Sequence, residues 1–124
     1  MGIEGKSMEQ AGRILIIDRK GRVRQETAAV LRGLDFQVDE VDSGDQARVV
    51  LKKSAYQLIL AEVGLLPGGG VEFLLGHDAI LSSTVVVLMA TAISVDDVAA
   101  VMRAGAADFI QRPYGLDELC FRLE

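Results

Sequence analysis

The 124-residue chain has no tryptophan, two prolines, one histidine and one cysteine. A lone thiol, Cys120, closes no internal disulfide, so the fold rests on its apolar core and suits a reducing cytoplasm. So little proline excludes collagen-like and Pro-rich structure. His77, without a second His or Cys beside it, reads as a surface residue and not a metal ligand. The longest apolar run, Val85–Ala90 with its neighbours, falls far short of the ~20 residues a membrane span needs. No cationic segment leading into an apolar one opens the chain. Positive charge is in deficit, 13 Lys plus Arg against 18 Asp plus Glu for a net charge of -5, whereas a free-standing nucleic-acid binder normally carries the opposite sign. These absences describe a cytoplasmic protein with no membrane partner and no direct nucleic-acid partner.

What is present is half hydrophobic and a quarter charged, enough for one domain with a single sizeable core and too apolar for disorder. Met1 to Gly12 is polar and Gly-rich, with a second possible start at Met8, and reads as a flexible tail; residues 13–124 form the domain. Arg13–Asp18 is a continuous apolar run ending in an acid, as in a strand buried on both faces of a parallel sheet. Gly21–Leu34 places Val23, Thr27, Val30, Leu31 and Leu34 on one helical stripe. Phe36–Val41 alternates as a strand, with Asp39, Glu40 and Asp42 read as a solvated edge. Ser43 then caps a helix running to about Ser54. Leu58–Ala61 is a third strand ending at Glu62. Val63–Gly70, with Pro67 and three consecutive glycines, is expected to be a loop, and a short helix around Val71–Leu75 follows. Val85–Ala90 is the fourth strand, closing on Thr91. Ser94 caps the next helix, Gly105 ends it, Asp108–Gln111 is the fifth strand, and a last helix starts at Leu116, with Cys120 as a small hydrophobe on its apolar stripe.

Strands alternating with helices predict an α/β three-layer sandwich, a flavodoxin-like (βα)5 fold with a five-stranded parallel sheet in strand order 2-1-3-4-5. The functional edge of such a sheet lies beyond the carboxyl ends of its strands. That rule selects Asp18, Arg19, Glu62, Thr91 and Arg112.

From Arg13 to Glu124 the chain resembles the receiver domain of two-component response regulators. Ile14–Asp18 resembles the first strand and its acidic end. Leu58–Val63 resembles the strand that carries the phosphoryl acceptor, and Thr91-Ala92 the hydroxyl position. Ala104–Phe109 with Arg112-Pro113-Tyr114 resembles the family's Ala-Gly-Ala segment, switch aromatic and Lys-Pro pair. The resemblance implies phosphoryl transfer from a histidine kinase to an aspartate, assisted by Mg²⁺ in an acidic pocket, with Thr91 and Phe109 at the switch positions and Pro113 as a candidate cis proline. Phe109 is expected to stay buried, as an ordinary core aromatic also would.

Three positions depart from that pattern. The acceptor position holds Glu62, Arg19 replaces the second acid, and Arg112 replaces the lysine. A family pocket of three acids and one lysine carries about -2, which a divalent cation completes; Asp18 and Glu62 against Arg19 and Arg112 sum to zero. The expectation is therefore an atypical pseudo-receiver that is not phosphorylated and not an enzyme, with no cofactor and Mg²⁺ binding lost or weak. An Arg19–Glu62–Arg112 ion-pair cluster, with Thr91 donating to Glu62, is expected in its place. Such a module, cut from a longer regulator, would control an attached or partner output domain, possibly DNA-binding, and could pair as a homodimer through its last two helices. The alternatives are a working phosphorelay receiver served by a histidine kinase, with Glu62 as a phosphate mimic or acceptor, and a flavodoxin-like nucleotide or flavin binder. The last is disfavoured by the scarcity of aromatics in its loops.

Overall fold

The structure, a computed structural model, describes residues 12–19, 21–77, 81–112 and 114–123. The predicted tail as far as Ala11 and the cis-proline candidate Pro113 lie outside them. Gly12, counted with the tail, is buried: its carbonyl accepts from the Gln37 amide at 3.2 Å, and a Cβ there would stand 2.6 Å from Gln57 Oε1.

Five strands and five helices alternate among the described residues: β1 (Arg13–Ile17), α1 (Arg22–Gly33), β2 (Gln37–Val41), α2 (Gly44–Lys53), β3 (Leu58–Glu62), α3 (Val71–Gly76), β4 (Val85–Ala90), α4 (Val95–Ala104), β5 (Asp108–Gln111) and α5 (Leu116–Leu123). All strand pairs are parallel, in order β2-β1-β3-β4-β5, as the alternation predicts. No helix among the described residues is long and apolar enough to cross a membrane.

Successive strand residues point to opposite faces, and both faces are covered. Leu15, Ile17, Ile59, Ala61, Val86 and Leu88 meet α2, α3 and α4 through Ala47, Leu51, Phe73, Leu74 and Val101. Ile14, Ile16, Leu58, Leu60, Val87, Met89 and Ile110 meet α1 and α5 through Ala28, Leu31, Leu119 and Leu123. This is why the strands read as unbroken apolar runs. Ser43 and Ser94 cap α2 and α4 as expected, their hydroxyls accepting from the amides of Gln46 and Asp97, each at 3.1 Å.

The expected loop is more ordered than predicted. Val63–Leu65 forms a single 3₁₀ turn, and Pro67–Gly70 follows as a kinked turn with non-helical backbone at Gly68 and Gly69. Gly68 and Gly69 sit at φ 60° and 65°, where a Cβ is disfavoured, so the glycine run builds a tight turn that delivers the chain to α3.

His77 and Cys120 are both half-buried. His77 Nδ1 lies 2.9 Å from the Phe73 carbonyl, and its ring packs at a tilt against that of Phe73 with centroids 4.8 Å apart, so it is not a free surface residue.

Candidate functional site

The five selected residues lie at the carboxyl ends of the strands, and Asp18 is the most constrained of them. It is buried, its amide donates to the Val41 carbonyl at 3.1 Å, and its Oδ1 accepts from the Arg19 amide at 2.8 Å. Its Oδ2 is paired with Arg112 Nη2. Arg112 leaves β5 with its own amide bound to the Ala90 carbonyl at 2.8 Å, and its guanidinium reaches across the ends of β4 and β3. Met89 Sδ beneath it (3.8 Å) and the Tyr114 ring (5.8 Å to centroid) guide that reach. The Tyr114 hydroxyl in turn contacts Met89 Sδ at 3.4 Å and Thr27 Oγ1 at 3.4 Å.

A second arginine holds the same corner. Arg24 donates to the Asp18 carbonyl at 3.2 Å and to Glu40 at 3.0 Å, and Arg32 reaches the other oxygen of Glu40 at 3.1 Å. Asp39 accepts from the Tyr56 hydroxyl at 2.6 Å. Asp39 and Glu40 are therefore tied into the fold and are not solvated as the alternation suggests, whereas Asp42 is exposed as expected. Tyr56 is buried, and burial, followed by the hydrogen bond to Asp39 and that residue's charge, pushes its pKa up to about 12.

The other half of the edge is different. Glu62 ends β3 beside Met89, and its Oε2 is buried with no hydrogen-bond partner among the described residues. The side chain bends back over the backbone ahead of it: a Cβ on Gly64 would stand 2.7 Å from that oxygen. Thr91 and Arg19 are exposed. The expected Arg19–Glu62–Arg112 cluster with a Thr91 hydrogen bond does not form; Arg112 goes to Asp18 instead. The physical reason is burial, because an unpaired carboxylate costs most where water is most excluded, and Asp18 lies deeper than Glu62. Phe109 is half-buried, packed on the α2–α4 side of the sheet, so it is less enclosed than predicted.

Arg24, Met89 and Tyr114 were not singled out as site residues. Tyr114 had a signal, two positions beyond Arg112; Met89 is hidden in an apolar strand. Among the described residues no group of three His, Cys, Asp or Glu side chains could hold a metal ion.

The response regulator receiver domain model matches residues 14–124. The KDP operon transcriptional regulatory protein KdpE of Escherichia coli is 29% identical over 110 residues, covering 89% of this chain and 48% of that protein. The two-component response regulator-like protein APRR5 of Arabidopsis thaliana is 35% identical over 112 residues, covering 86% of this chain and 20% of that one. The crystal structure of a CheY-like response regulator receiver domain protein from Methanospirillum hungatei superimposes with a TM-score of 0.81 at 19% identity, covering 90% of this chain and 89% of that one. The chain thus belongs to the response regulator receiver domain family of two-component signalling, and it spans about half the length of KdpE or less of such relatives.

Proposed function

We propose that this receiver domain acts as a regulatory interaction module that works without phosphorylation, controlling an output domain attached to it or recruited by it. The observation that carries this reading is the occupied state of Asp18. One carboxylate oxygen takes the Arg19 amide and the other the Arg112 guanidinium. A dication in the family's position would have to displace a buried ion pair and then face the Arg112 guanidinium left beside it. The donor set fits Mg²⁺ poorly, and like-charge repulsion at ~4 Å adds several kcal/mol even in a well-screened site. Glu62 compounds this, since its extra methylene and its fold-back over Gly64 take the carboxylate away from the position an aspartate would occupy for in-line attack.

Several relatives are transcriptional regulators longer than this chain, which favours an output domain over a free enzyme as the partner. Pairing through α4 and α5 is consistent with exposed Met102 and Phe121, and sedimentation at several concentrations tests it.

The deciding experiment incubates the chain with acetyl phosphate and Mg²⁺, beside the triple variant Arg19→Asp, Glu62→Asp, Arg112→Lys. The unmodified chain is expected to gain no phosphate by mass, while the variant does. Labelling of the unmodified chain would show a working phosphorelay receiver instead.

A further inference from the structure

A cleft of about 250 Å³ opens beside the untied half of the site, between the glycine turn and α4. Its walls come from Val63, Gly68, Val71, Ala92, Asp97 and Ala100. Val63 and Ala92 directly follow Glu62 and Thr91, so the cleft begins where the strand ends finish.

Its size and chemistry restrict the occupant. Sites for whole small molecules commonly run to about 300–1,000 Å³ and place convergent polar groups around the ligand. This cleft is smaller and lined mostly by short apolar side chains, which suits one or two inserted aliphatic side chains better than a nucleotide. The apolar strip continues past the cleft, because Leu75 lies one helical turn beyond Val71 and is 61% exposed.

Charge supplies the second restriction. Asp97 contributes to the wall, and Glu72 lies against Gly68, its Cδ 3.2 Å from where a Cβ on that glycine would be. Among the described residues no basic side chain lines the cleft. Glu26, Glu40, Asp45, Asp108 and Glu118 have arginine partners; Glu72 and Asp97, like Asp35, Asp42, Asp96 and Asp117, form no ion pair among the described residues. An apolar slot with one carboxylate on its wall and a second beside it, neither in an ion pair among the described residues, is complementary to an apolar side chain flanked by lysines or arginines.

We infer that the α3–α4 cleft docks a basic amphipathic helix of a partner protein, one aliphatic residue entering between Val71 and Ala100 and its cationic neighbours meeting Glu72 and Asp97. The inference rests on the reading of the chain as an interaction module and names the surface that reading requires. Helix-in-groove binding of this kind draws affinity from the anchor and orientation from the charges.

The test is an amide chemical-shift titration of the full chain with a 14-residue peptide of lysine, leucine and alanine, leucines spaced three and four apart. A second peptide carries glutamate in place of lysine. Saturable shifts are expected at Val63, Ala92, Asp97 and Ala100 with the lysine peptide alone. Affinity should fall about tenfold in Ala100→Arg, which fills the slot, and in Glu72→Gln/Asp97→Asn, which leaves the core untouched. Equal binding of the glutamate peptide, shifts confined to the outer face of α4 and α5, unchanged affinity in the Glu72→Gln/Asp97→Asn variant, or the same shifts appearing with protein concentration alone would overturn the inference. Phosphate labelling is read separately by mass, so loss of the phosphate-independent reading and loss of the docking site remain distinguishable.

Discussion

The two halves of the strand-end edge are built on opposite principles. On the β1–β2 side the enclosed carboxylates have partners: Asp18 has Arg112, Glu40 has Arg24 and Arg32, and Asp39 has the Tyr56 hydroxyl. On the β3–β4 side Glu62 keeps a buried oxygen without a partner among the described residues, Thr91 stands exposed, and the adjoining cleft has Asp97 on its wall with Glu72 beside it. Negative charge that a phosphoryl-accepting pocket would offer to a metal is here neutralised internally on one side and left facing the surface on the other. The same strand ends therefore form a tied half and an open half.

The sharpest way to break this contrast is Arg112→Met. It leaves Asp18 buried without its counter-charge, and a loss of about 3 to 5 kcal/mol is expected in urea unfolding, much of it recovered when Asp18→Asn is added. A small loss would mean that Asp18 is not held by this pair. Tyr56→Phe comes next. Removing a hydrogen bond to a charged acceptor should cost about 1 to 2 kcal/mol at neutral pH. The variant also isolates a pH dependence. Because the folded phenol titrates near 12 instead of 10.0, its stabilisation is complete below pH 10 and is lost as pH rises toward 12, amounting to about 2 to 3 kcal/mol. Unfolding measured between pH 9 and 12 should show that decline in the parent chain and a flatter profile in Tyr56→Phe.

Sequence alone carried the element order, the strand order and the two serine caps, because strands buried on both faces and hydroxyls ahead of helices leave local marks. It also placed the candidate residues at one edge of the sheet. It did not reveal which arginine pairs with which acid. Arg112 crosses two strand ends to reach Asp18, and only the seat made by Met89 and Tyr114 decides that path. The ties of the β2 acids are hidden for a related reason, since Glu40 takes its partners from α1 and Asp39 takes Tyr56 from the α2–β3 connection. Arg24 and Arg32 stand eight residues apart, about 80° round α1 from each other, close enough for both long side chains to reach Glu40.

The smallest effects lie on the open half and should have the opposite sign. Glu62→Met removes a buried carboxylate oxygen that has no partner, so a gain of about 1 kcal/mol is expected where Arg112→Met gives a loss. Gly64→Ala then tests where that carboxylate lies. Its new Cβ would meet Glu62 Oε2 at 2.7 Å, but the obstacle is the far end of a flexible side chain that can swing toward water. A cost of a few tenths of a kcal/mol is expected, disappearing in a Glu62→Ala background, and a double-mutant cycle in urea reads the difference. The carboxyl ¹³C shift of Glu62 gives an independent measure, moving toward the value of a solvated glutamate when Gly64→Ala is introduced. If the two substitutions are additive and the shift does not move, Glu62 is already in water; the open half would then be an ordinary solvated rim, and the contrast with the tied half would reduce to Asp18 and its arginines.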